Sequence, residues 1–166
     1  MYQKFLTLCL VVAVLVGLNG LQLPSPASAL STLSEVNAGD LVRSDASSAV
    51  YYMGADGFRY VFPNSKTYNT WYDNFDGVKW LSVADLGTIQ IGGNVTYKPG
   101  TRMIKINSDP KTYAVSSNGI LRWVTSEAVA VSLYGSAWNT MIDDVPDGFF
   151  PNYTVGDPIN DAISYN

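Results

Sequence analysis

The densest group of potentially reactive side chains is a run of carboxylates near the C-terminal end. Asp143 and Asp144 are adjacent, Asp147 follows, and Asp73 with Asp76 forms a similar group earlier in the chain. Two carboxylates that face each other can act as acid and base in glycoside cleavage. Both groups lie beside a glycine, however, where Asp commonly bonds to main-chain groups of turns. We therefore predict no catalytic residue and interpret the aspartates as turn residues.

The same oxygen atoms suit a hard cation. Calcium takes carboxylate and carbonyl oxygens, so Asp143, Asp144 and Asp147 are candidate ligands and calcium stays open as an alternative. Neither DNFDG at 73–77 nor DDVPDG at 143–148 has the D-x-D-x-D-G spacing of a known calcium loop. We expect no other cofactor.

Thiol and imidazole chemistry have little support. The sequence contains no histidine and a single cysteine, Cys9. No G-x-S-x-G motif occurs, and the usual histidine base of a serine hydrolase is missing. The function therefore rests on hydroxyls, carboxylates, amines and main-chain groups.

The first 29 residues have the composition of an export signal. An apolar run from Phe5 to Leu21 leads to Ala27-Ser28-Ala29, which is a small-residue cleavage site. We predict cleavage after Ala29, which removes Cys9 and leaves no stable membrane span. An uncleaved anchor is the alternative, for which the run is barely long enough.

The mature chain is acidic. The full chain has 10 Lys+Arg against 14 Asp+Glu, and removal of Lys4 with the signal changes the net charge from −4 to −5. This balance repels phosphate backbones, so we expect no nucleic-acid partner. A mature chain without cysteine cannot form disulfides and must be held together by its core.

Aromatic residues make up 13% of the chain. Tyrosine and tryptophan fill cores when their polar edges find partners, and exposed rings stack on sugar faces. We predict that most rings are buried and nominate Tyr52, Trp80 and Trp138 as the candidates for a glycan-binding surface.

Two stretches follow the same plan. AVYYMGADGFRYVFPN at 49–64 predicts a β-hairpin that turns at Asp56-Gly57, and a helix over 66–72 capped by Asn64 or Ser65. Tyr68, Trp71 and Tyr72 fall on one face of that helix, which we expect to lie on the hairpin. A strand over 78–81 and one helical turn over 83–86, capped by Ser82, follow.

The second stretch is KTYAVSSNGILRWVTS at 111–126. It predicts a hairpin that turns at Asn118-Gly119, and a helix over 127–134 that Thr125 or Ser126 caps and Gly135 ends. The turns are 62 residues apart, whereas Arg59-Tyr60-Val61 and Arg122-Trp123-Val124 are 63 apart, which predicts one inserted residue.

Shorter echoes mark the edges of the repeat. GDLV at 39–42, GTRMI at 100–104 and GDPI at 156–159 begin alike, and NVT at 94–96 resembles NYT at 152–154. Both N-x-T patterns match glycosylation acceptors, but their recurrence favours a shared structural role. We predict a polar lead-in over 30–38, repeats over 39–97 and 98–159, and a C-terminal tail over 160–166.

These stretches resemble a known class of tandem repeats. VYYMGADGFRYVFPNSKTYNTWY and TYAVSSNGILRWVTSEAVAVSLYG are similar to the V-Y-x4-[DN]-G-x-[KR] repeats of exported bacterial cell-surface proteins, and the likeness covers most of residues 39–159. The second copy departs from the pattern by its extra residue and by Thr125 in place of Pro63. The resemblance implies an extracellular, non-catalytic module.

The sequence thus predicts a secreted or cell-surface α+β protein with two tandem β-hairpin–helix repeats and antiparallel sheet. The expected function is a non-catalytic envelope module that contacts wall polymer, glycan or a surface protein. A glycan-binding module with exposed rings is the alternative, and a carboxylate-dependent hydrolase is a third hypothesis.

Overall fold

The computed structural model describes residues 30–165, so the predicted signal over 1–29 lies outside the described residues. The described chain is a mixed α and β structure with two five-stranded sheets and three short α-helices. None of its helices is long and apolar enough to cross a membrane. The α+β class predicted from the sequence is confirmed.

The first half, over residues 41–94, contributes five strands and two helices. In chain order these are β1 (Leu41–Ser44), β2 (Tyr51–Met53), β3 (Arg59–Val61), α1 (Ser65–Trp71), β4 (Val78–Leu81), α2 (Val83–Thr88) and β5 (Ile91–Asn94).

The second half, over residues 103–155, contributes five strands and one α-helix. These are β6 (Met103–Ile106), β7 (Asp109–Ser116), β8 (Ile120–Trp123), α3 (Glu127–Tyr134), β9 (Ile142–Asp144) and β10 (Thr154–Val155). Single 3-10 turns or short 3-10 helices cover Leu33–Glu35, Ser117–Gly119, Trp138–Met141, Asp147–Asn152 and Ala162–Ser164.

The two sheets have corresponding strand orders. The first runs β4-β1-β2-β3-β5 and the second, taken from the same end, β9-β6-β7-β8-β10. In each sheet the three central strands are antiparallel neighbours and the two outer strands pair in parallel. The expectation of antiparallel sheet is therefore wrong for the outer strands. A parallel pair needs a long crossover, and α1, α2, α3 and the Asp147–Asn152 segment lie in those crossovers.

Each sheet is buried on both faces. In the first sheet, Leu41 faces a cluster with Tyr68 of α1, whereas its neighbour Val42 faces a cluster with Leu86 of α2. In the second sheet, Met103 packs with Val129 and Ala130 of α3, and Ile104 packs on the opposite face with Val145. Alternation along a strand thus supplies two small cores per sheet.

Local signals set the turns and helix starts as the sequence predicts. Gly57 has φ 83°, and Asn118 and Gly119 have φ 58° and 69°, which are values that suit the hairpin turns. Asn64 Oδ1 caps α1 by accepting from Thr67 N at 2.9 Å. Ser126 caps α3, and Gly135 ends it with φ 80°. The predicted α3 bounds and the strand over 78–81 are confirmed.

The hairpin register corrects the predicted insertion. Tyr51 pairs with Val61, and Tyr113 pairs with Trp123, so both strands of the second hairpin lie 62 positions after those of the first. The similarity of Arg59-Tyr60-Val61 to Arg122-Trp123-Val124 suggested a spacing of 63. Because the turn fixes the register, these two triplets occupy strand positions that differ by one residue. The extra length falls after the helices, where Val78 and Ile142 are 64 apart.

Segments outside the predicted repeats or at their ends also pack on the sheets. In the lead-in, Ser31 N donates to the carbonyl of Trp80 at 2.6 Å. Ile159, in the third GD-type echo, is fully buried and bridges to Val124 in parallel, so this echo completes the second half. Tyr165 of the tail donates through its hydroxyl to the carbonyl of Val115 at 3.0 Å.

Candidate functional site

The connecting segment over residues 95–100 is fixed by both halves. Trp71 Nε1 of α1 donates to the carbonyl of Thr96 at 2.8 Å, and Lys98 N donates to Thr70 Oγ1 at 3.0 Å. Tyr97 is 1% exposed in the core of the second sheet, and its N–H donates to the hydroxyl of Tyr153 at 3.1 Å. Concave surfaces beside this junction therefore combine side chains from both halves.

The larger concave surface has a cavity volume of about 620 Å³. Ligand sites for small molecules commonly fall in the range of a few hundred to about 1,000 Å³. We name it the aromatic groove; its lining is Ser47, Ser48, Ala49, Val50, Val61, Phe62, Pro63, Asn64, Ser65, Tyr68, Phe75, Asn94 and Phe149.

In the aromatic groove, the exposed ring of Phe75 stacks on the buried ring of Tyr68. Phe75 is 55% exposed, and its ring stacks on Tyr68 with 4.4 Å between centroids and 14° between planes. Tyr68 is 2% exposed, packs edge-on against Phe62 at 5.0 Å, and donates through its hydroxyl to the carbonyl of Asn74 at 2.7 Å. The exposed ring is therefore supported from below by a buried one.

Polar groups surround these rings. Ser47, Ser48 and Ser65 line the groove with hydroxyl side chains, and Asn64 and Asn94 line it with amides. Asn64 Oδ1 already caps α1 and Asn94 Nδ2 already donates to Asn152, so each amide has only its other polar atom left for a ligand. A nearly neutral mixture of rings, hydroxyls and amides can stack on the apolar face of a sugar and hydrogen-bond to its hydroxyls.

The second concave surface, the junction cleft, has a volume of about 410 Å³. Its lining combines Lys66, Asn69 and Thr70 of α1 with Thr101, Arg102 and Asp143 of the second half. Two cations and one carboxylate thus face the same space.

Asp143 is held tightly in the junction cleft. Its side chain is 11% exposed; Arg102 Nε donates to Oδ2 at 2.6 Å, and Arg102 Nη2 lies 3.3 Å from Oδ1. Lys66 Nζ lies 3.5 Å from Oδ1. Burial raises the pKa of Tyr97 well above its ordinary value, and the neighbouring Asp143 carboxylate adds to the rise. Tyr97 is therefore a neutral phenol at every physiological pH.

The three rings nominated from the sequence do not form one surface. Tyr52 is half-buried and packs on the α1 side of the first sheet. Trp80 lies on the end strand β4, with the guanidinium of Arg43 4.2 Å from its ring centroid. Trp138 is half-buried against the α3 side of the second sheet. Their role in binding stays a prediction.

The aspartates nominated as metal ligands are also separated. Asp143 and Asp144 lie in strand β9, which corrects the interpretation of them as turn residues, and successive strand positions face opposite sides. Asp144 is exposed and lies 3.4 Å from Lys105 Nζ. Asp147 begins a 3-10 helix. Within residues 30–165 no group of three or more His, Cys, Asp or Glu side chains is placed to hold a metal ion.

Sequence reasoning nominated none of the groove residues for binding, and of the cleft residues it named only Asp143, as a metal ligand. Phe75 could have been recognised as a candidate exposed ring, because it is a lone aromatic residue inside the turn sequence DNFDG. Trp71 was expected on the hairpin face of α1, but it is 38% exposed and bonds to the connecting segment. Arg102 and Asp143 are 41 positions apart, and no local pattern links them.

No protein-family model, curated protein or solved structure matches this chain.

Proposed function

We propose that the protein is a secreted, non-catalytic module of the bacterial cell envelope or cell surface, and that it holds a glycan in the aromatic groove. The observation that carries the proposal is the exposed Phe75 ring stacked on the buried Tyr68 ring. The buried Tyr68 ring supports the Phe75 ring, polar side chains line the groove around it, and the exposed part of Phe75 is accessible to a flat ligand. Sugar rings present an apolar face that packs on such a surface.

We further propose that the chain consists of two tandem copies of one β-hairpin–helix unit. Support comes from the corresponding strand orders and from the constant spacing of 62 between Leu41 and Met103, between Tyr51 and Tyr113, and between the caps Asn64 and Ser126. The copies share the connecting segment, because Tyr97 fills the second core. Such sharing fits a unit too small to bury its own apolar faces.

The proposed role includes no catalytic step. Asp143 faces Arg102 and Lys66, whereas glycoside cleavage uses two carboxyl groups across a gap of roughly 5–10 Å. The predicted export signal and the acidic composition support an extracellular place of action.

The test is a pull-down with the mature protein, residues 30–166, against isolated envelopes and purified wall polysaccharides. We expect saturable binding to at least one polysaccharide, and Phe75→Ala should weaken it about tenfold because the platform is lost. Trp123→Ala is the matched control: Trp123 is 37% exposed and lies under Lys111 in the other half. Equal affinity of Phe75→Ala and the wild type for every bound polymer would remove the groove from the proposal.

A further inference from the structure

We propose that the junction cleft binds one monoanionic oxygen group, a carboxylate or a phosphodiester, between Lys66 and Arg102. The cleft holds two cations against one carboxylate, so it keeps a local charge of about +1. The chain as a whole carries a net charge of −4. A cationic recess on an acidic protein selects for an anionic group and repels a cation.

Arg102 is already oriented for such a ligand. Its Nε donates to Asp143 Oδ2, and its Nη2 donates both to Asp143 Oδ1 at 3.3 Å and to the carbonyl of Thr140 at 2.9 Å. Nη1 makes none of the hydrogen bonds found among residues 30–165, and the side chain is 31% exposed. The bonds to Asp143 and Thr140 fix the plane of the guanidinium before binding, and the N–H groups of Nη1 remain as charged donors for one oxygen of a carboxylate or phosphate.

Lys66 supplies the movable cation. Its side chain is 61% exposed, and its contact with Asp143 Oδ1 is long at 3.5 Å. An exposed pair of this kind contributes little to stability, so the ammonium can turn to an incoming anion at low cost. Asp143 keeps its two contacts with Arg102 when Lys66 turns away.

The neutral groups in the cleft limit the ligand further. Thr70 Oγ1 donates to the carbonyl of Thr67, and Thr101 Oγ1 donates to the carbonyl of Lys98, each at 2.7 Å. Their hydroxyl hydrogens are therefore used, which leaves the two cations and the amide of Asn69, exposed on the same helix as Lys66, as donors. A net charge of about +1 and this small donor set match a monoanion rather than a dianion.

The cleft can be tested separately from the aromatic groove. The mature protein, residues 30–166 with ¹⁵N labelling, is titrated with sodium glucuronate, with sodium dimethyl phosphate and with neutral methyl glucoside at constant ionic strength. We expect at least one anion to shift the amide signals of Lys66, Asn69, Thr101 and Arg102 in a saturable way, and methyl glucoside to leave them unchanged. The anion that binds identifies the source as a uronic acid or a phosphodiester polymer.

Two variants distinguish this site from general charge attraction. Lys66→Gln should weaken binding of the anion about five- to tenfold, since one charge-assisted hydrogen bond is lost, and Lys66→Arg should restore most of it. Lys105→Gln is the matched control, because Lys105 is an exposed lysine paired at 3.4 Å with Asp144 and does not line the cleft.

The proposal is overturned if neither anion gives saturable shifts at these amides. It is also overturned if Lys66→Gln and Lys105→Gln weaken binding equally. Failure of polysaccharide binding with intact anion binding would reject the glycan groove alone, and the reverse result would reject the anion site alone.

Discussion

The side-chain amide of Asn94 donates a hydrogen bond to the side-chain oxygen of Asn152 across 3.1 Å. Asn94 ends β5 at the edge of the first sheet, and Asn152 ends the 3-10 helix over the second sheet. Each asparagine begins one of the two N-x-T patterns in the sequence. Their shared role is a contact with each other across the junction.

A double-mutant cycle measures that contact. Asn94→Ala and Asn152→Ala should each lower the free energy of unfolding by about 1 kcal/mol, and the double variant should lose less than the sum, with a coupling of about 0.5–1 kcal/mol. Urea unfolding supplies the four values. Asn139→Ala, at an exposed position of another 3-10 helix, serves as the control. Strict additivity of Asn94→Ala and Asn152→Ala would contradict a direct contact.

Two adjacent aspartates should respond very differently to the loss of charge. Asp143→Asn should destabilise the fold by about 2 kcal/mol, because the side chain at this position is only 11% exposed and loses its charge-assisted bonds with Arg102. Asp144→Asn should lower the free energy of unfolding by less than about 0.5 kcal/mol. The Asp144 side chain is 59% exposed, and its ion pair with Lys105 Nζ, at 3.4 Å, is solvent-exposed. Thermal and urea unfolding of both variants check this difference. Similar losses would show that the Arg102 pair is not a structural contact.

Local features of this fold could be predicted from the sequence. The turns at Asp56-Gly57 and Asn118-Gly119 and the caps Ser82 and Ser126 depend on side chains within three residues of the groups they contact. Their prediction succeeded because the physical cause lies in the same short stretch.

Long-range features could not be predicted in the same way. The parallel pairing of β1 with β4 joins Leu41 to Val78, and no local pattern distinguishes it from an antiparallel alternative. The junction cleft depends on such pairing, because β9 lies beside β6 and this brings Asp143 to Arg102. The register error arose because Arg122-Trp123-Val124 looks like Arg59-Tyr60-Val61, although the turn places Arg122 opposite Ala114.

Two turn glycines should tolerate alanine unequally. Gly57 and Gly119 have positive φ values of 83° and 69°, so alanine strains the backbone at both. A Cβ at Gly57 meets open space, whereas a Cβ at Gly119 lies 3.2 Å from Cγ2 of Thr96 in the connecting segment. Gly57→Ala should cost about 1 kcal/mol, and Gly119→Ala should cost measurably more. Equal losses in urea unfolding would argue against close packing of this turn on the junction.

Stability should fall at alkaline pH through Tyr113. Burial, together with a hydrogen bond from its hydroxyl to Asp109, raises the pKa of Tyr113 to about 12. In the unfolded chain a tyrosine ionises near pH 10. The contribution of neutral Tyr113 to the free energy of unfolding is therefore complete below pH 10 and is lost as the pH rises to about 12. Urea unfolding at pH 8, 10 and 11 measures the fall, and Tyr113→Phe should make it shallower. An unchanged slope in Tyr113→Phe would assign the alkaline loss to other groups.

The most direct test of the proposal that the two halves depend on each other is residue-resolved unfolding of residues 30–166. Amides of Val42 in β1 and Ile104 in β6, both fully buried, are followed by NMR during urea titration. We expect both to report one midpoint, and Tyr97→Ala to lower that midpoint for both halves together. Two separate midpoints, with one sheet persisting after the other has unfolded, would contradict a shared unit.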